Sequence, residues 1–293
     1  MKPAPFDYVA ARSLDEALEA MAERGPDAKL LAGGQSLLPV LNFRLAQPAV
    51  LIDLNGVAEL DFVREEPDGG LRLGALVRQR RLEREPLVAR RAPLLAEAVP
   101  FVAHPQIRNR GTLGGSLAHA DPAAELPAVA LALGARLLLK RRGGERWVEA
   151  REFFTGLFAT ALEPDELLAE IVVPAPSPRA GFAFVEFARR HGDYALAGVA
   201  AAVELDAEGR CRAAKLVYLS VGDGPVDSRE ASAALAGMPL DDEHIADAAR
   251  LAAERDVDPL GDIHASTDFK RHLVRVLTGR ALRTARSRAA EAA

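Results

Sequence analysis

Cysteine is almost missing from this 293-residue chain. Cys211 stands alone, which excludes a disulfide framework within the chain and any iron–sulfur cluster held by its own thiolates. No apolar run is long enough to cross a bilayer. The opening Met1-Lys2-Pro3-Ala4-Pro5 lacks the apolar stretch of a secretory leader, so a cytoplasmic location is expected. An excess of basic charge is also lacking: the net charge is -5, against a broad nucleic-acid surface, whose affinity rests on a basic footprint. The same balance will not draw in an anionic ligand, so a phosphate has to be gripped locally by backbone dipoles and a few side chains. His104, His191, His244, His264 and His272 show no metal-ligand spacing, and no metal is assigned.

What the chain does have is glycine in two matching places, Ala32-Gly33-Gly34-Gln35-Ser36 followed by Leu37, and Gly111-Thr112-Leu113-Gly114-Gly115-Ser116. Paired glycines let a backbone come close to a charged oxygen, and successive N–H groups then converge on it as an anion nest. Two nests suit the two phosphates of a dinucleotide. Neither matches a Rossmann fingerprint, and no Lys-Ser/Thr follows the glycines as in a Walker loop. Taken singly, each is equally well read as a tight strand-to-helix turn.

With 49% hydrophobic and 27% charged residues, the chain has enough apolar surface for two or three folded units. Ser13 and Glu16 form a capping box ahead of Leu14, Ala17, Leu18 and Met21, and Gly25-Pro26 stops that helix. Strands at Lys29–Ala32 and Val50–Leu54, with a helix from Leu37 between them, predict a small β-α-β subdomain over about 1–57. Hairpins follow: Leu60–Arg64 with Leu71–Leu76, and Arg136–Lys140 with Arg146–Val148 across Gly143-Gly144. Helices are expected over Pro93–Val102 and Ala124–Leu133, and a last strand over Glu166–Val173. Pro174, Pro176 and Pro178 forbid continuous structure and mark a domain boundary. The remainder, 177–286, reads as a separate α+β unit with strands at Phe182–Ala188, Val199–Leu205 and Lys215–Val221. Helices at Asp227–Leu235, Asp241–Glu254 and Thr267–Ala285 complete it, and 287–293 is expected to fray.

The longer motif Ile107-Arg108-Asn109-Arg110-Gly111-Thr112-Leu113-Gly114-Gly115-Ser116-Leu117-Ala118-His119-Ala120-Asp121-Pro122-Ala123-Ala124-Glu125-Leu126-Pro127, the first turn as A-G-G-Q-S-L-L-P, and Arg189-Arg190-His191-Gly192-Asp193-Tyr194-Ala195 together carry a resemblance. The chain resembles the FAD-binding medium subunit of the molybdenum hydroxylases, the xanthine dehydrogenase and aerobic carbon monoxide dehydrogenase family. The resemblance implies an α+β protein: a two-subdomain FAD domain of the vanillyl-alcohol-oxidase type (1–57 and 58–176), then a smaller α+β C-terminal domain with a short antiparallel sheet and helices. It implies that Ala32, Gly33, Gly34, Gln35, Ser36 and Leu37 cradle the FAD diphosphate from one side and Thr112, Gly114, Gly115 and Ser116 from the other. Ala118 and His119 fall where the family touches the flavin and its linker, Glu125 where a carboxylate accepts from ribityl or ribose hydroxyls, and Leu168 and Tyr194 near the isoalloxazine. Two residues depart from the pattern: Glu125 is one methylene longer than the usual Asp, and Glu186 stands where the family favours Lys.

The resemblance further implies that the molybdenum cofactor lies on a large partner subunit and two [2Fe-2S] clusters on a small one, in a heterotrimer that dimerises. No catalytic residue is expected on this chain: electrons would arrive from the clusters, pass through FAD and leave for a quinone, NAD or oxygen. A stand-alone flavin oxidoreductase and a nucleotide-binding module without redox work remain as alternatives. Tyr194 reads equally well as an ordinary packed aromatic.

Overall fold

The computed structural model describes residues 1–292. The first unit is β1 (Asp7–Ala10), α1 (Leu14–Arg24), β2 (Ala28–Leu31), α2 (Leu37–Asn42) and β3 (Val50–Asp53), with its strands parallel in the order β1-β3-β2. Half of the predicted capping box forms: the Glu16 amide donates to Ser13 Oγ at 3.2 Å, while Glu16 Oε2 accepts at 2.7 Å from the amide of Arg12, one residue ahead of the cap. It starts α1 in a register that buries Ala17, Leu18 and Met21 against Val50 and Ile52.

The second unit holds β4 (Val63–Glu65), β5 (Leu71–Gly74), α3 (Gln79–Arg84), α4 (Pro86–Arg91), α5 (Pro93–Ala98), α6 (Pro105–Arg108), α7 (Leu113–His119), α8 (Glu125–Ala132), β6 (Arg136–Arg141), β7 (Gly144–Glu149), α9 (Ala150–Phe153), β8 (Phe154–Gly156), β9 (Ala159–Thr160) and β10 (Leu167–Val173). The order β4-β5-β10-β6-β7 makes an antiparallel five-stranded sheet. Proline opens α4, α5 and α6, where its missing N–H costs nothing and its fixed φ suits the helix. Every residue of α8 is buried, as befits a helix that is apolar on every face after its first residue, Glu125. The expected helix over Pro93–Val102 forms only as far as Ala98, then tightens into a 3₁₀ turn at Val99–Phe101 around Pro100.

The third unit is an antiparallel sheet of β11 (Ala180–Ala188), β12 (Ala195–Leu205), β13 (Cys211–Leu219) and β14 (Val226–Asp227), in that order, with α10 (Arg229–Leu235), α11 (Asp242–Leu251) and α12 (Thr267–Glu291). Side chains alternate across a strand. Along β11, Ala183 and Val185 pack with the α12 core, whereas Phe182 and Phe184 pack with the core of the second unit. Ala200, Val217 and Leu219 join that same second core, so one face of the C-terminal sheet completes the hydrophobic interior of the unit before it. The expected frayed tail from 287 is corrected as far as residue 292. Helix α12 runs on to Glu291, with Ala289 fully buried and Arg288 donating to the Phe182 carbonyl at 2.6 Å. The reason lies in Gly181, where a Cβ would run into the Ala285 carbonyl and, at 2.9 Å, its carbon. Only glycine lets the helix close on the strand so far along its length. Ala293 lies outside the described residues.

Candidate functional site

The two glycine elements meet. A Cβ on Gly33 would strike the Arg110 carbonyl and come within 2.8 Å of Gly111 Cα, and one on Gly115 would lie 3.6 Å from Ala32 Cβ. Backbone therefore lies against backbone, which is why glycine is needed at Gly33. The contact is held by a polar chain that the sequence did not disclose. Asn55 donates from Nδ2 to the Ala32 carbonyl at 2.9 Å, Arg78 Nη2 donates to Asn55 Oδ1 at 2.6 Å, and Arg78 Nη1 donates to the Arg110 carbonyl. Asp53 orients Asn55 by accepting from its amide at 2.8 Å, and Tyr8 donates its hydroxyl to the same carboxylate. Those bonds outweigh the cost of dehydration and hold the Asp53 carboxyl below its ordinary range.

The elements differ inside. The amides of Gly33, Gly34, Gln35, Ser36 and Leu37 donate to no protein oxygen among the described residues, and Gly34 sits in the left-handed region at φ 72. A left-handed residue within a run of free N–H groups is the anion-nest arrangement. Gln35 reaches back from Nε2 to the Gly33 carbonyl at 3.0 Å, closing the turn on itself. The second element, read from sequence as a similar turn, is instead the first turn of α7. Thr112 is its N-cap, and the amides are engaged: Leu113 with the Val77 carbonyl at 3.0 Å, Gly114 with Ala75 at 2.8 Å, Gly115 with Thr112 Oγ1 at 3.1 Å and Ser116 with the Thr112 carbonyl at 3.2 Å. Gly114 is required by packing, because a Cβ there would strike Ala75. What α7 has left to offer a ligand is the hydroxyl protons of Thr112 and Ser116.

Beyond the glycines lies a group drawn from two units. His119 ends α7 with its ring 5.2 Å from that of Phe158, and partial burial lowers its imidazole, opposed by Asp121. Ala118 is exposed beside it. Glu125, at the start of α8, is only 8% exposed; dehydration, with Asp121 adding to it, pushes its carboxyl up to about 7. Its nearest cation, Arg108, is occupied by Glu83 and by the carbonyls of Pro100, Val102 and Ala103. Tyr194 stands 71% exposed on the loop between β11 and β12, and that loop is pinned where Gly192 fits against His104 and the Ala103 carbonyl. Its phenol is raised by loss of hydration and by Asp121 and Glu125. Leu168 is not brought into this group: it is 6% exposed within the core of the second unit.

The residues present fit an FAD. A run of free amides faces no protein acceptor, two hydroxyls stand on the adjoining helix, and polar groups continue beyond them. Sequence reasoning missed Asn55, Arg78 and Asp53. The one available signal was the Asp53-Leu54-Asn55-Gly56 ending of β3, a side-chain-capped turn by composition.

Residues 4–176 match the family model for the FAD binding domain in molybdopterin dehydrogenase, and residues 182–285 match that of the CO dehydrogenase flavoprotein C-terminal domain. Fold and family models together define the class: an FAD-binding domain joined to an α+β companion. The chain is 43% identical over 289 residues to the 6-hydroxypseudooxynicotine dehydrogenase complex subunit alpha of Paenarthrobacter nicotinovorans, covering 99% of this chain and 97% of that one. It is 43% identical over 290 residues to the caffeine dehydrogenase subunit beta of Pseudomonas sp. strain CBB1, covering 98% and 97%. A solved carbon monoxide dehydrogenase chain from Hydrogenophaga pseudoflava superposes with a TM-score of 0.95 at 38% identity, covering 98% of this chain and 99% of that chain. The chain belongs to the FAD-binding medium subunits of the molybdenum hydroxylases, a family of oxidoreductase subunits with FAD as cofactor.

Proposed function

We propose that this chain takes electrons from [2Fe-2S] clusters on a partner subunit and passes them, at its flavin, to an external acceptor: a quinone, NAD or oxygen. The observation that carries the reading is the run of five free amides at Gly33–Leu37, set against a second glycine element whose amides from Leu113 to Ser116 are engaged. FAD, when bound, supplies one- and two-electron chemistry in one group and so joins single-electron carriers to a two-electron acceptor. On this reading Ala32, Gly33, Gly34, Gln35, Ser36 and Leu37 hold the diphosphate. Thr112 and Ser116 add hydroxyls, Gly114 and Gly115 let α7 close up, and Ala118, His119, Glu125 and Tyr194 surround the rest. The flavin domain is 1–176, with subdomains meeting near 57, and the C-terminal domain begins at 177.

The chain's own residues bind and orient; none is placed to oxidise a substrate. Cys211 is buried in the C-terminal core with its thiol pushed up to about 11 by dehydration, so it offers no thiolate to a cluster. We therefore assign molybdenum and iron–sulfur chemistry to a large and a small partner subunit, in a dimer of heterotrimers in the cytoplasm. The relatives, a dehydrogenase complex subunit alpha and a carbon monoxide dehydrogenase medium chain, support a multi-subunit setting. Among the described residues no helix is long and apolar enough to cross a membrane.

The test is a comparison of the assembled complex with and without flavin. Under the proposal, substrate still reduces the clusters of the flavin-stripped complex, while reduction of the acceptor stops. A stand-alone flavin oxidoreductase would instead turn over a small organic donor with this chain alone, FAD-loaded.

A further inference from the structure

The short ribbon of β8 and β9 holds a conformation that packing does not explain. Its register pairs Phe154 with Thr160 and Gly156 with Ala159, which leaves Leu157 and Phe158 as the two central residues of the turn. Phe158 takes the second place at φ 51. A positive φ there is the province of glycine and asparagine, and in a bulky residue it is a strained state that persists only where something outside the turn favours it. Burial does not favour it, since Phe158 is 53% exposed and Leu157 59%. The base of the ribbon, by contrast, is fixed. Phe153 is fully buried, its carbonyl accepts from the Ala161 amide at 2.8 Å, and its ring meets that of Phe154 edge-on at 5.2 Å. The one ring that Phe158 meets among the described residues is the imidazole of His119, with centroids 5.2 Å apart and planes tilted by 46°, a favourable aromatic arrangement.

His119 is a telling partner because of where α7 puts it. Thr112, Ser116 and His119 follow one another at spacings of four and three residues, so they share one face of the helix in a stripe about 10 Å long. The head of α7 adjoins the first glycine element, where a Cβ on Gly115 would lie 3.6 Å from Ala32 Cβ. A dinucleotide gripped by the free amides at Gly33–Leu37 and laid along α7 therefore meets the two hydroxyls first and the imidazole last. We propose that Phe158 is a positioning residue for FAD: the turn keeps its strained form so that the Phe158 ring backs the His119 imidazole and fixes it against the cofactor. This inference rests on the reading that FAD lies along α7.

The test uses the full chain stripped of FAD, with two readouts: the melting temperature of the stripped form, and FAD affinity by flavin fluorescence titration. Phe158→Gly removes the ring and the strain together. It is expected to melt no lower than wild type, because glycine takes up φ 51 freely, and to bind FAD about fivefold more weakly, because the imidazole is no longer held in place. His119→Ala should weaken FAD about tenfold, and the double variant should bind no worse than His119→Ala alone, the mark of two residues acting through one contact. Phe158→Tyr keeps the ring and should bind as wild type does. Phe158→Leu is apolar without a ring and should bind as weakly as Phe158→Gly. A lower melting temperature for Phe158→Gly, additive losses in the double variant, or full affinity in Phe158→Leu would overturn the proposal. Wild type that takes up no FAD would sink the functional reading along with it, whereas wild type and Phe158→Gly binding FAD equally well would sink this inference alone.

Discussion

The two glycine elements look alike in sequence and work differently in three dimensions. At Gly33–Leu37 the chain leaves a run of amides without protein acceptors; at Leu113–Ser116 each amide is engaged by Val77, Ala75 or Thr112. Glycine in the first element serves the turn and the contact with its neighbour. In the second it serves packing, since Gly114 lies on Ala75 and Gly115 folds over the Thr112 hydroxyl. A glycine pair thus signals close approach without saying what approaches, and hydrogen-bond accounting decides between ligand and protein.

The comparison can be broken hardest at the point of contact. Gly33→Ala forces a Cβ into the Arg110 carbonyl, which cannot move without parting the elements. We expect about 3 kcal/mol of lost stability, read in denaturant, and loss of flavin on purification. Next in size is Asn55→Ala, which frees the Ala32 carbonyl and strands Arg78. It should weaken FAD about tenfold, with about 1.5 kcal/mol of stability lost, by flavin fluorescence titration and melting.

Ser116→Ala sharpens the contrast by removing a hydroxyl that α7 offers outward without touching an engaged amide. Stability should hold within about 0.5 kcal/mol while FAD affinity falls about fivefold, the loss of one hydrogen bond to a charged oxygen. The smallest effect concerns acid. Asp53 is held below its ordinary value, so the stability it lends the first element is present above that value and is lost as pH falls through the folded one. Asp53→Asn should flatten the acid limb of the melting-temperature profile by lowering its neutral plateau slightly, and leave the acid end nearly unchanged.

Much of the fold was legible because its signals are local. Ser13 with Glu16, the prolines that open helices, and Gly143 at φ 76 between β6 and β7 act within a turn of themselves. The glycine elements were legible as points of close backbone approach for the same reason. Asn55 and Arg78 were not, because their bonds reach 23 and 32 residues along the chain to carbonyls that carry no sequence mark. The order of the tail depends on Gly181, over a hundred residues upstream of it. Leu168 shows the opposite limit: a resemblance placed it at the ring, and the packing places it in the core. Glu186, noted only as a departure from a pattern, lies on the face of β11 that carries Phe182 and Phe184, which only the strand's observed register shows.

The central claim is that free amides of the first element, and not those of α7, hold the diphosphate of FAD. Amide hydrogen exchange on the full chain, with and without FAD, measures this directly. Without FAD, the amides at 33–37 should exchange fast and those at 113–116 slowly; with FAD, the first group should slow by about tenfold or more while the second changes little. Slowing confined to 113–116, with 33–37 unaffected by FAD, would contradict the account.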